Sequence, residues 1–167
     1  MEARKLAKPS HPFQLSLRIR HPSLDPAEIS RELGLPAEHS FRAGDPRLSR
    51  SGLASASVHA ESYWLGALSP TEWPADLGFS AEPLVNIARE RLGSAATRSL
   101  GWALSLTAVR FFKVHGELLR QIHTEGGQTS LLVTISTAEA SSFSLSPEVT
   151  RVFSDLGVAL EFEFSDD

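Results

Sequence analysis

Two stretches of this chain, one near each end, alternate apolar and polar residues with a period of two. Phe13-Gln14-Leu15-Ser16-Leu17-Arg18-Ile19-Arg20 sets Phe13, Leu15, Leu17 and Ile19 on one side, with Gln14, Ser16, Arg18 and Arg20 on the other. Val158-Ala159-Leu160-Glu161-Phe162-Glu163-Phe164 repeats the pattern. Successive side chains of a strand point to opposite faces, so each stretch predicts a strand with one buried face. Residues 128–137 predict a third such strand, with Leu131, Val133 and Ile135 inward and the Gly126-Gly127 turn before it.

A second pattern occurs twice. Ser23-Leu24-Asp25-Pro26 leads through Ile29 and Leu33 to Gly34, and Ser144-Leu145-Ser146-Pro147 leads through Val149, Val152, Phe153 and Leu156 to Gly157. Asp25 and Ser146 are side chains that accept hydrogen bonds from the free amides of a first helical turn. Pro26 and Pro147 suit the first helical position, where no amide hydrogen is needed, and Glu28 completes a capping box. Gly34 and Gly157 can adopt the left-handed conformation that ends a helix. Each helix has strand-like sequence on both sides, so a strand-helix-strand unit is the predicted building block.

The middle of the chain is less regular. Residues 39–43 predict a short strand, 44–47 a turn, 54–65 a longer strand and 69–79 a loop containing Pro70, Pro74 and Gly78. Ser80 is placed to cap a helix running to Leu92. From 97 to 124, Leu100, Leu104, Phe111, Val114, Leu118 and Ile122 follow helical spacing. Gly101 and Gly116 each weaken a helix by about 1 kcal/mol relative to alanine, so two helices fit as well as one. A strand over 104–114 is the alternative.

The order strand-helix-strand-strand-helices-strand-helix-strand implies an α+β fold. It is read as a two-layer sandwich, a mixed or antiparallel sheet of about five strands with helices on one face. The other face would then present Arg18, Arg20, Ser130, Thr134, Glu161 and Glu163. Residues 1–11 are expected to be a flexible tail and 12–167 a single domain.

At 167 residues and 41% hydrophobic content the chain can build one core without a staple. The absence of cysteine removes disulfides, thiol nucleophiles and thiolate metal sites. A formal charge of -4 with no clustered Lys and Arg argues against a nucleic-acid partner. No run approaches the ~20 apolar residues a bilayer span requires. Arg4, Lys5 and Lys8 are not followed by an apolar stretch, so neither a secretory signal nor a membrane partner is expected, and the expected location is the cytoplasm.

The candidate chemistry is sparse. Charged residues around the 42–47 turn, Arg42, Asp45 and Arg47, suit an anion or a carboxylate partner, or else organise the turn itself. Tyr63 and Trp64 are adjacent on a strand and should face opposite ways, one to the core and the other free to anchor an interface. With Arg18 and Arg20 on the exposed face, Arg42, Asp45, Arg47 and Trp64 form the candidate binding set. His59 and Glu61 share a strand face, the arrangement of a metal or acid-base pair, although surface roles are the plainer reading. The six histidines are scattered, and none pair at the i, i+4 spacing that places two imidazoles on one helix face. There is no Gly-x-Ser-x-Gly elbow and no glycine-rich phosphate loop. No catalytic residue, metal ligand or cofactor is therefore assigned.

Three segments taken in order are similar to the bacterial "domain of unknown function 4279" family. They are Leu24-Asp25-Pro26-Ala27-Glu28-Ile29 through Leu33-Gly34-Leu35, then Phe41-Arg42-Ala43-Gly44-Asp45-Pro46-Arg47, then Ser62-Tyr63-Trp64. Phe143-Ser144-Leu145-Ser146-Pro147 with Leu156-Gly157 extends the similarity to the C-terminus, covering nearly the whole chain from Phe13. The resemblance implies a small cytosolic α+β protein of unestablished role, with no family catalytic residues to carry over. Some relatives are similar to immunity components that sit beside toxin systems. The expectation is a non-enzymatic protein that binds a protein partner, possible immunity roles included. The alternative is a small-molecule binder or enzyme using His59, Glu61 and the 42–47 turn.

Overall fold

The computed structural model describes residues 13–49, 52, 54–69, 100–136 and 145–165. The expected tail over 1–11, most of the loop over 69–79 and the helix from Ser80 to Leu92 lie outside these residues. The elements in chain order are β1 (Phe13–His21), α1 (Pro26–Leu33), β2 (His39–Phe41), β3 (Pro46–Leu48), β4 (Ala54–Val58) and β5 (Ser62–Leu68). After these come α2 (Leu100–Leu106), which continues as a π-helical stretch over Thr107–Phe112, then α3 (Gly116–Thr124), β6 (Gln128–Ser136), α4 (Pro147–Asp155) and β7 (Val158–Ser165).

Five strands form one mixed sheet in the order β2-β5-β1-β6-β7, and β3 and β4 form a separate antiparallel ribbon. The fold is α+β, as the pattern of elements implied. β1 lies at the centre, antiparallel to both β5 and β6. Its alternation is realised: Leu15, Leu17, Ile19 and His21 are buried while Gln14, Ser16, Arg18 and Arg20 face the other way. On the inner face Leu17 aligns with Leu131 and Leu160, and Ile19 with Thr129 and Val158. Ile29 and Leu33 of α1, Leu104 and Phe112 of the α2 segment, Leu119 and Ile122 of α3, and Val149 and Phe153 of α4 close over these rows in one core.

The two strand-helix-strand units differ in topology. β6 and β7 are adjacent and parallel with α4 between them in sequence, the arrangement such a crossover allows. β1 and β2 also run parallel, but β5 sits between them and pairs antiparallel with each. Both helices begin as their caps dictate. The Asp25 carboxylate accepts from the Ala27 amide at 2.9 Å, and the Ser146 hydroxyl lies 3.4 Å from the Val149 amide. Gly34 ends α1 at φ 65°.

Several expectations are corrected. The strand predicted over 54–65 is two strands in different sheets, broken at 59–61. Pro46 and Arg47, read as part of a turn, begin β3; the turn is tighter and is closed at Asp45, whose amide bonds the Arg42 carbonyl at 3.2 Å. Residues 104–114 are helical, as their apolar spacing predicted, which sets aside the strand alternative, and the helical region divides in two at His115. The apolar face of β7 is covered at Val158 but emerges along the strand, with Phe162 38% and Phe164 70% exposed.

Trp64 shows how closely the layers fit. It is fully buried, and its indole N–H donates to the Ser30 hydroxyl on α1 at 2.8 Å. The ring lies along its own strand over Gly66, where an added Cβ would sit 2.4 Å from one indole carbon and 3.0 Å from the Pro36 carbonyl oxygen. Any side chain there must displace the indole, and crowds the backbone at Pro36 as well. Gly66→Ala is expected to destabilise the fold by ~1–3 kcal/mol in urea unfolding, the usual cost of overpacking a core. A midpoint equal to that of the parent would refute this fit.

His115 lies at the division between the two helical segments, packed 4.6 Å from the Phe111 ring. Burial holds its imidazole below its ordinary range, against a smaller opposing pull from Glu32. The folded chain therefore resists a proton that the unfolded chain accepts. Stability should fall as pH drops from the ordinary histidine value of ~6.5 toward the lowered one. Thermal melts of His115→Gln should show a flatter profile over that window.

Candidate functional site

Among the described residues the inner face of the sheet is taken up by the core, which leaves the outer face and the β3–β4 ribbon as candidate surfaces. The register brings Phe41, Tyr63, Arg20 and Gln128 into one row across the outer face, and His39, Leu65, Arg18, Ser130 and Ala159 into the next. The outer face has two regions of different character.

Its centre is neutralised. Arg18 on β1 reaches over β6 to form an ion pair and hydrogen bond with Glu161 on β7. The Ser130 hydroxyl and the Arg18 guanidinium together hold the Glu161 carboxyl below the usual carboxylate range. Arg20 turns the other way and lies 3.8 Å from Glu61. Partly exposed pairs of this kind contribute roughly 0.2–1 kcal/mol each.

The β2 end is aromatic. The His59 ring stacks on Phe41 with centroids 3.6 Å apart, and Phe41 stacks on Tyr63 at 5.1 Å. His39 meets Phe41 and Tyr63 edge-on at 5.8 and 5.7 Å. Two backbone bonds fix His59 in place: its amide donates to the Asp45 carbonyl at 3.0 Å, and its carbonyl accepts from the Gly44 amide at 2.8 Å. The same bonds continue the β3–β4 ladder by one rung and close the base of the ribbon. Every residue of that ribbon is exposed, including Leu48 at 70% and Val58 at 54%. Between the ribbon and β2 runs an open groove of about 800 Å3, lined by His39, Phe41, Arg47, Leu48, Ala54 and His59 among others.

A family model described as "Domain of unknown function (DUF4279)" matches residues 11–167, nearly the whole chain. The chain belongs to this family. No curated protein and no solved structure matches it.

In this DUF4279 protein the sequence-derived candidates are dispersed. Arg42 pairs with Asp25, the cap of α1, while the Asp45 carboxylate accepts from the Arg42 amide at 2.9 Å. Both residues thus organise the turn, and Asp45 also lines the groove. Arg47 is exposed on the groove wall and makes no ion pair among the described residues. Arg18 and Arg20 lie on the outer face with acidic partners. Of the adjacent aromatic pair, Trp64 is the core member and Tyr63 the outer one. His59 and Glu61 lie in or beside the break between β4 and β5: His59 joins the ring stack and Glu61 the pair with Arg20. Among the described residues no cluster of three or more His, Asp or Glu is arranged to hold a metal ion, and no helix is long and apolar enough to cross a membrane.

Sequence reasoning missed His39, Phe41 and Leu48 as site residues. The available signal was parity: His39 and Phe41 are two apart on a strand and so share a face.

Because the folded state holds Glu161 ionised more strongly than the unfolded chain does, the stabilisation is present above the ordinary carboxylate range and lost as pH falls through the depressed value. Glu161→Gln should flatten the acid limb of a melting-temperature profile below about pH 4.5. An unchanged acid limb would mean that the Arg18–Glu161 pair is not formed in solution.

Proposed function

We propose that this DUF4279 protein is a non-enzymatic binding protein that docks a protein partner on the β2 end of its outer face and on the β3–β4 ribbon. One observation carries the reading. A two-stranded ribbon with both faces exposed gains little stability of its own, yet here its base is closed by the bonds between Gly44-Asp45 and His59 and seated on β2 by the stack of His59 on Phe41. It presents Leu48 and Val58 to solvent beside a ring-lined groove. Apolar and aromatic anchors of this sort dominate the energetics of protein interfaces. A concrete form of the reading is neutralisation of a toxic partner, as an immunity protein does, and it rests on the family resemblance alone.

Capture of a small molecule in the groove is a second reading. Its support is the volume of about 800 Å3, inside the usual range of ligand sites, with His59 and Arg47 on the lining. In that version the Arg42-Asp45 turn shapes the wall and the chemistry is binding.

The test is co-expression with the products of adjacent genes, followed by calorimetry on any complex recovered. Leu48→Asp should weaken a genuine complex at least tenfold while leaving the melting temperature unchanged, since the side chain is already exposed. A complex indifferent to Leu48→Asp and Phe41→Ala would overturn the assignment of this surface.

A further inference from the structure

His21 takes no part in the outer face or the groove, yet it is a buried ionisable side chain. It ends β1 on the inner side and is 4% exposed. Its Nδ1 accepts from two backbone amides of the corner that follows, Leu24 at 2.8 Å and Ser23 at 3.1 Å. A ring nitrogen accepts only through its lone pair, so Nδ1 carries no proton and the neutral ring holds its hydrogen on Nε2. Nε2 is buried and has no hydrogen-bond partner among the described residues. The Glu125 carboxylate lies 3.4 Å from it, within ion-pair reach but not aligned as a hydrogen bond.

The ring is also confined. At Gly127 an added Cβ would sit 2.7 Å from the His21 Cδ2 and equally close to Ile122 of α3. On β5 the residue in register is Ser62, whose hydroxyl is engaged by the Ala43 amide. Neighbouring charges along the chain point elsewhere: Arg20 faces Glu61, and Asp25 holds Arg42. Among the described residues, Glu125 is thus the charged group in ion-pair reach of the imidazole.

A second proton changes the partners this ring can keep. Placed on Nδ1, it opposes the amide hydrogens of Ser23 and Leu24, three donors with no lone pair among them. The resulting cation gains on its other side, because Nε2–H to a carboxylate becomes a charge-assisted contact. The neutral ring therefore suits the β1–α1 corner, and the charged ring suits the α3–β6 turn.

We propose that His21 is a proton-operated latch between these two turns. The neutral ring ties residues 23 and 24 to the end of β1. Uptake of a proton from solvent at Nδ1 releases both amides and draws the imidazolium onto Glu125. Leu24 immediately precedes Asp25, the cap of α1, so the released segment is the entry to that helix. Protonation of histidine is a common trigger for elements with two arrangements.

NMR of the imidazole nitrogens, followed with pH on the intact chain, tests the latch. Near neutral pH the Nε2–H tautomer should be observed at His21. As the ring is protonated, amide protection at Ser23 and Leu24, corrected for intrinsic exchange, should fall roughly tenfold or more while Leu17 and Leu131 hold theirs. His21→Asn retains an acceptor near the Nδ1 position without the titration, and protection at 23 and 24 should then stay flat. Glu125→Gln should demand more acid for the same release, since the charged ring loses its partner. An Nδ1–H tautomer at neutral pH, or protection at 23 and 24 that survives protonation of the ring, would overturn the proposal. So would a pH-dependent loss that persists in His21→Asn, or a ring that stays neutral until the whole fold is lost. Should His21→Asn fail to fold, the tautomer and the exchange titration of the parent chain still decide.

Discussion

Burial of Leu15, Leu17 and Ile19 on the central strand is the constraint from which the other features of the structure follow. Each of these side chains gains ~1.5–3 kcal/mol by leaving water, and the period-two pattern forces all of them to the same face. A one-residue slip against β6 would set them on the solvent side and bring Arg18 into the core. With the register fixed, the helices can cover only that face. Arg18, Arg20, Ser130, Glu161 and Glu163 are then committed to the opposite one.

This commitment divides the outer face. Its arginines are matched by Glu161 and Glu61, so the middle of the sheet is electrostatically satisfied and offers little to a charged partner. The β2 end is assembled differently, from stacked rings and an exposed ribbon, with Arg47 and Asp45 both on the groove wall. Asp25 links this end to the core, since its carboxylate both caps α1 and receives Arg42.

The fold was legible wherever a local rule decides the structure. β1, α1 and α4 follow from alternation, caps and terminal glycines, all of which act within a few residues. The break between β4 and β5 was not, because His59-Ala60-Glu61 contains no glycine or proline, and the chain turns there only since its two halves pair with different strands. Pro46 in β3 was hidden for a related reason: proline is tolerated on an edge, and edges are set by topology. The site was legible in part. Arg47 and Asp45 do line the groove, but Trp64 packs inward, and the stack of His59, Phe41 and Tyr63 depends on the non-local pairing of β2 with β5.

Placing β1 at the middle of the sheet has a further consequence during biosynthesis. It is the first of the described strands to leave the ribosome, yet its neighbour β6 lies more than a hundred residues further on, with Leu17 opposite Leu131. At ordinary translation rates that interval is on the order of ten seconds. Throughout it, one flank of β1 has no native mate. The polar row through Arg18 and Arg20 keeps one surface of that strand hydrated while it waits.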